Sequence, residues 1–257
     1  VPQGEAFIGP DGKVNPRAVL GNVVNHNGKD YLLMPDDWMK EAYRQSLRQE
    51  YNLSVAGGVD KASFLASFGY LNNKGIIDGA DMYRYTARLK ADFQAKEWLK
   101  VGANVSYTNY DYNNGNGEEG SAGSVGNVFG FAASMAPIYP VYIRDASGNI
   151  MTDSRGLQMY DFGDGKNAGM VRPNAPNANA LRLITLDRNI SEGNAFTGTA
   201  YAEVKFLRDF KFTFNVGTGV DGVRHTSMNN MYYGQFATNG GTLYKEHERR
   251  FYVNLQQ

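Results

Sequence analysis

Residues 83–107 read YRYTARLKADFQAKEWLKVGANVSY. Taken at alternate positions, the first half sets Tyr83, Tyr85, Ala87, Leu89, Ala91 and Phe93 against Arg84, Thr86, Arg88, Lys90, Asp92 and Gln94. After the break AKEWL the alternation resumes, with Val101, Ala103, Val105 and Tyr107 against Lys100, Gly102, Asn104 and Ser106. Successive side chains of a strand point to opposite faces, so this stretch is a tightly turned pair of two-faced strands. What the apolar face touches, a protein core or lipid, decides the rest.

Composition narrows the choice. Lys+Arg and Asp+Glu both number 26, giving formal net charge +0 and no basic footprint for nucleic acid. The absence of cysteine removes thiol nucleophiles, disulfides and cysteine-ligated metals together. Glycine, at 30 residues, is roughly 12% of the chain against a usual figure of about 7%, and aromatics reach 13%. Turns and aromatic-rich strands are implied. No apolar run of about 18 residues exists, which excludes a transmembrane helix. A spanning barrel is compatible with the mean hydropathy of -0.47, because its strands are apolar on one face only. The opening VPQGEAFIGPDGK shows no positive region followed by an apolar segment, hence no visible signal peptide.

Residues 51–57, 62–72, 83–94, 100–112, 195–207 and 210–221 all alternate, and 249–255 begins a seventh strand. In 210–221, Phe210, Phe212, Phe214, Val216 and Val220 oppose Lys211, Thr213, Asn215, Gly217 and Asp221. Several of these segments reach ten residues, where soluble strands are mostly about 5–6 and bilayer-crossing ones about 9–11. The connections GVDK, AKEWL and LRDF are tight, while NKGIIDGADM, residues 113–194 and residues 222–248 are long. An up-and-down sheet puts alternate connections at opposite ends, so short turns collect at one end and long loops at the other. That is the layout of an outer-membrane barrel. Tyr83, Tyr85, Phe93, Trp98, Tyr107, Phe206 and Phe210 crowd the strand ends, as an aromatic girdle would. Pattern alone favours lipid over a core.

YNLSVAGGVDKASFLASFGYLNNKGII, followed by RYTARLKADFQAKEWLKVGANVSY, resembles the SusC/RagA family of TonB-dependent outer-membrane transporters. The similar features are an NLS-x-x-GG turn, a GYL-x-x-x-G-I-I stretch and an RY-x-x-R-L…WLKVG-x-N run, dense over residues 51–112. PDDWMKEAYRQSLRQEYNLS, MAPIYPVYIRDASGNI and ERRFYVNL resemble the family more loosely. The resemblance implies an all-β fold, part of a 22-stranded antiparallel transmembrane β-barrel, with short periplasmic turns and long extracellular loops. It implies residence in the outer membrane of a Gram-negative cell. It also implies a SusD-like lipoprotein capping the mouth, a TonB complex acting through a plug, and an oligosaccharide or peptide cargo. Neither the plug nor the TonB-contacting segment of the family is visible here. Seven strands cannot close a barrel of that diameter, so the chain reads as an internal piece, with 1–50 a loop and approach segment and 51–257 barrel strands with loops.

Chemical motifs are few. GNGEEG at 115–120 fits G-x-G-x-x-G but follows an antiparallel-type strand and carries Glu118 and Glu119 where phosphate would be repelled. His26, His225 and His247 lack ligand spacing. The sequons at Asn52 and Asn104 sit inside strands, where a glycan cannot be accommodated. DFGDGKN at 161–167 lacks the spacing and closing Glu of a calcium loop. VFGFAASMAP is expected to form a short helix stopped by Pro137. Neither an enzyme activity nor a cofactor is expected.

The loops offer aromatic surface instead. Phe129, Tyr139, Tyr142, Tyr160, Phe162, Tyr232, Tyr233 and Phe236 are the candidate cargo-binding residues, against the plainer reading that they pack the loops together. The expected orientation puts Tyr85, Ala87, Leu89, Val101, Ala103, Val105, Phe212, Phe214 and Val216 toward lipid, and Arg88, Lys90, Asn104, Thr213 and Asn215 in the lumen. Residues 113–194 are expected outside the cell, with a mobile Gly-rich start and a folded remainder whose deletion over 156–180 weakens partner and cargo binding but spares the barrel. The competing function is a soluble β-rich carbohydrate-binding or adhesion module.

Overall fold

The computed structural model describes residues 4–6, 9–13, 15, 21–114, 127–207, 209–234 and 236–257. GNGEEG and nearly all of the expected mobile loop start lie outside the described residues. In chain order the elements are β1 (Asn22–His26), β2 (Lys29–Leu33), α1 (Trp38–Ala42), β3 (Arg48–Val59), β4 (Ala62–Lys74), β5 (Ala80–Lys96), β6 (Leu99–Asn114), α2 (Val128–Ser134), α3 (Ala180–Leu186), β7 (Arg188–Phe206), β8 (Phe210–Asn229) and β9 (Thr242–Gln256). They fall into two units. One holds the strands β3 to β9, and the other takes its described residues from 4–42, 127–183 and 233–234.

The first unit is a seven-stranded antiparallel sheet in which each strand pairs with its neighbours in sequence, from β3 to β9. All seven expected strands are present. β3 and β9 are its edges, so the sheet is open among the described residues. β8 runs on to Asn229 and β9 begins at Thr242, which shortens the last long connection to 230–241. Among the extra pairs, Gly222↔Arg249 through Asn229↔Thr242, only Val223, Met228, Leu243 and Tyr244 are apolar or aromatic and the rest are polar or glycine, so no alternation marks them.

Register explains how one face becomes continuous. Leu53, Phe68, Ala87, Tyr107, Phe196, Val220 and Phe251 lie in one row across all seven strands. The next row on the same face is Val55, Ala66, Leu89, Val105, Gly198, Thr218 and Val253. Toward the long connections, Tyr51, Tyr70 and Tyr85 stand side by side with ring centroids 6.3 and 5.1 Å apart. Toward the tight turns the face ends in Phe93, Phe206, Phe210, Phe212 and Phe214, the Phe206 and Phe210 rings stacking at 5.7 Å. From Tyr85 to Phe93 is roughly 27 Å of strand at about 3.4 Å per residue. That matches the band of about 25 Å seen on spanning barrels.

These apolar side chains are not a core. Leu53 is 68% exposed, Phe68 50% and Leu89 52%, and Leu71 is the one buried hydrophobic residue among the described residues of these strands. The opposite face is polar and cross-linked. Arg88 Nε donates to Asn104 Oδ1 at 2.8 Å, the Ser106 and Thr197 hydroxyls meet at 2.6 Å, and Tyr201 OH donates to Asp92 at 2.6 Å. Tyr201 reaches Asp92 by lying across Gly102, where a Cβ would come within 2.3 Å of the ring. Part of the glycine excess is thus room for cross-strand rings.

The second unit holds the hydrophobic core. Trp38, Val128, Phe131, Val141, Ile143, Phe162 and Leu181 are buried there. Asn27 and Gly28, both at positive φ, make the tight β1–β2 hairpin that an Asn-Gly pair favours. The hairpin and α1 lie within residues 1–50, read from sequence as a loop and approach segment. Asp37 caps α1 by accepting from Lys40 N at 3.0 Å, and Asn127 caps α2 by accepting from Gly130 N at 2.8 Å. The helix expected in VFGFAASMAP therefore forms, ending at Ser134 with Met135 extended, ahead of Pro137.

Candidate functional site

The candidate site grows from a recurrence in the long tract between β6 and β7. In RDASGNIMTDSRGLQMYDFGDGKN, Asp145, Asp153 and Asp161 recur at a spacing of 8. Each carboxylate accepts from amides just downstream and so turns the chain. Asp145 Oδ1 takes Ser147 N and Asn149 N, both at 2.9 Å, and Asp153 Oδ1 takes Arg155 N at 2.9 Å and Leu157 N at 3.0 Å. Asp161 Oδ1 takes Gly163 N at 2.6 Å. The segments between turns pair as Arg144↔Ile150, Thr152↔Gln158 and Tyr142↔Tyr160.

That last pair brings two candidate rings together, their centroids 4.7 Å apart. A chain of rings and guanidinium groups extends from it. Arg144 lies 5.2 Å from the Tyr142 ring, while Arg182 lies 5.1 Å from Tyr160 and 5.8 Å from Tyr233. Tyr233 stacks on Phe162 at 5.5 Å and takes Arg155 at the same distance. The phenols are fixed at their far ends: Tyr142 OH donates to Glu41 and Tyr233 OH to Asp153, both at 2.6 Å. Burial, then the bond to Glu41, pushes the Tyr142 phenol far above its ordinary range. Asp153 is held well below the usual carboxylate range, first by the Tyr233 hydroxyl and then by Arg155.

Beneath the stack the support is ionic and dry. Arg172 is fully buried, donates to the carbonyls of Asp161 and Ala178 and to Met135 sulfur, and stacks 5.5 Å from Trp38. Its Nε has no hydrogen-bond partner and sits 3.7 Å from Asp161 Oδ1. Burial raises the Asp161 carboxyl above its ordinary value, opposed by the Asn167 amide at 2.6 Å and the Arg172 charge. DFGDGKN is thus a turn whose first carboxylate serves the protein's own groups. Among the described residues no three His, Asp or Glu side chains are placed to hold a metal.

The candidate residues therefore separate. Tyr142, Tyr160, Phe162 and Tyr233 come together, with Phe162 only 4% exposed and acting as the floor. Phe129, on α2, and Tyr139, whose carbonyl accepts from Trp38 Nε1 at 2.9 Å, are half-buried. Tyr232 and Phe236 belong to the sheet unit, at the β8–β9 connection, Tyr232 being 45% exposed. Sequence reading passed over Arg144, Arg155 and Arg182, and the eight-residue aspartate recurrence was the signal that could have placed the first two.

No protein-family model matches the chain. It is 24% identical over 211 residues to the TonB-dependent receptor SusC of Bacteroides thetaiotaomicron, covering 77% of this chain and 20% of that protein. It is also 24% identical over 168 residues to the TonB-dependent receptor P26 of Formosa agariphila, covering 65% of this chain and 14% of the relative. Among solved structures, the RagAB peptide transporter aligns with TM-score 0.58 at 19% identity, covering 84% of this chain and 23% of that one. The RagAB peptide importer in its closed-closed state gives 0.54 at 20% identity, covering 83% and 21%. In sequence and in fold the chain is similar to the SusC/RagA-type TonB-dependent transporters. Its sheet is an arc of the SusC/RagA-type barrel fold. The chain spans a fifth or less of the length of these two curated relatives.

Proposed function

We propose that this chain forms part of an outer-membrane importer, driven by TonB and working with a SusD-like surface lipoprotein, that takes up peptides or oligosaccharides. The observation that carries the reading is the apolar face running unbroken across seven strands, bounded by the Tyr51–Tyr70–Tyr85 row and a phenylalanine row, and left exposed. An aqueous sheet of this size would have to hide such a face, whereas a bilayer rewards it. On this reading β3 to β9 cross the membrane, the tight turns lie in the periplasm, and the unit containing the ring and guanidinium stack is extracellular. The stack offers flat apolar faces beside fixed charges, which suits peptide or sugar capture over catalysis. The solved RagAB relatives, described as peptide importers, incline the cargo toward peptide.

The test is made on the native protein. It should leave the cell envelope only with detergent, migrate faster on unheated than on heated gels, and sustain uptake of labelled peptide or oligosaccharide that stops when TonB is removed. Recovery in the aqueous fraction without detergent would instead support the soluble binding module.

A further inference from the structure

Above the apolar band, the same outward face of β7, β8 and β9 changes character within one row. Val220 and Phe251 end the apolar rows; next come Asn194, Gly222 and Arg249, then Glu192, Arg224 and His247. Gly222 has no side chain, and a Cβ there would meet nothing within 4 Å. The result is a hollow of about 260 Å³ with Gly222 at its floor, Val220 on its lipid-ward side, and Arg224, Arg249, His247 and Asn194 around it. Its one carboxylate, Glu192, lies 3.5 Å from Arg224. Among the described residues neither Arg249 nor His247 has an ion-pair partner, so the hollow keeps a positive balance.

We propose that this hollow binds a phosphate group of an outer-leaflet lipid headgroup, whose acyl chains continue down the apolar rows below. The site rests on the reading of that face as lipid-facing. A headgroup phosphate sits where the apolar band gives way to water, which is the level of Gly222, and two arginines with an amide supply charge-assisted donors there. A soluble anion would find the same charges but gain nothing from Val220 and Phe251 beside them.

The experiment reconstitutes the native protein in nanodiscs of phosphatidylethanolamine doped with either bisphosphorylated or dephosphorylated lipid A, and reads co-retained lipid by native mass spectrometry. The parent should retain the phosphorylated form preferentially. Arg249→Gln should cut that preference about fivefold, the weight of one basic residue near a charged surface. Gly222→Leu, whose Cβ meets nothing within 4 Å and whose side chain would occupy the hollow, should abolish it while leaving barrel migration on gels unchanged. Equal retention of the two lipids by the parent, or a preference untouched by both variants, overturns the site alone. Full competition by millimolar inorganic phosphate overturns the lipid assignment. A parent that fails to insert into nanodiscs overturns the membrane reading and the site with it.

Discussion

The Arg144 guanidinium meets the Asp36 carboxylate through two bonds, Nη2 to Oδ1 at 2.7 Å and Nη1 to Oδ2 at 2.9 Å, with both side chains buried. Asp36 Oδ2 also accepts from Val141 N at 2.7 Å, so one side chain ties the approach to α1 onto the start of the Asp-turned meander. Removing it leaves a buried cation and a buried amide unpartnered. Asp36→Ala should therefore weaken this unit by about 3–5 kcal/mol, and adding Arg144→Met should recover much of the loss. Hydrogen exchange at Val141 and Ile143 reads the effect directly; parental protection in the single variant would contradict it.

Leu89 lies opposite Val105 in the middle of the apolar face, half exposed and flanked by Ala66. Leu89→Arg should cost about 2–4 kcal/mol in a bilayer folding assay, the known range for a cation at the midplane of a spanning barrel. Asn104, expected in the lumen from sequence, accepts from Arg88, so an arginine there would lose a bond and add like charge. Thr199, in the same row of the polar face and exposed, is the better control. Thr199→Arg should be nearly neutral, and equal costs at the two positions would reverse the assignment of faces.

Legibility followed the physics of each element. Strands with one apolar face announce themselves at period two, which is why Leu89 and Val105 were placed from sequence and found in one row. The ends of β8 and β9 were missed because Arg224, His225, Glu246 and His247 are polar on both faces and are aligned by backbone pairing alone. The hairpin at Asn27-Gly28 has strands of five residues, too short for a sustained alternation, so its signal lies in the turn pair and in Val23, Val24, Tyr31 and Leu32 beside it. The candidate rings were legible as types but not as a group. Which of them meet depends on pairings such as Tyr142↔Tyr160 and on Arg182, a residue 22 positions further along, and neither has a periodic signature.

The Tyr233–Asp153 bond makes a pH prediction. A carboxyl held below its ordinary value in the folded protein contributes stability that is full above the unfolded value, near pH 4, and drains away as pH falls toward the folded one. Lowering pH from about 5 should thus loosen Tyr233 from Asp153 only well under the range where exposed carboxylates titrate. Asp153→Asn should abolish that late acid step. A near-ultraviolet tyrosine signal whose acid transition is the same in parent and variant would show that the bond does not govern it.

Deleting residues 156–180 looked from sequence like a clean test of the loop, but those residues include Phe162, Asn167, Arg172 and Asn179, all buried in the unit's core. The deletion would unfold the unit whatever its role. A substitution within the stack separates the two possibilities. Tyr160→Leu keeps apolar volume while removing the ring that Tyr142 and Arg182 face. Lost ring–ring and ring–cation contacts should cost the unit about 1–2 kcal/mol, leaving it folded. If cargo docks on the stack, half-saturation of uptake should rise about tenfold, equivalent to roughly 1.4 kcal/mol of lost binding, with maximal uptake and partner co-purification preserved. Parental half-saturation, in a variant whose exchange protection at Val141 confirms a folded unit, would assign these rings to packing alone.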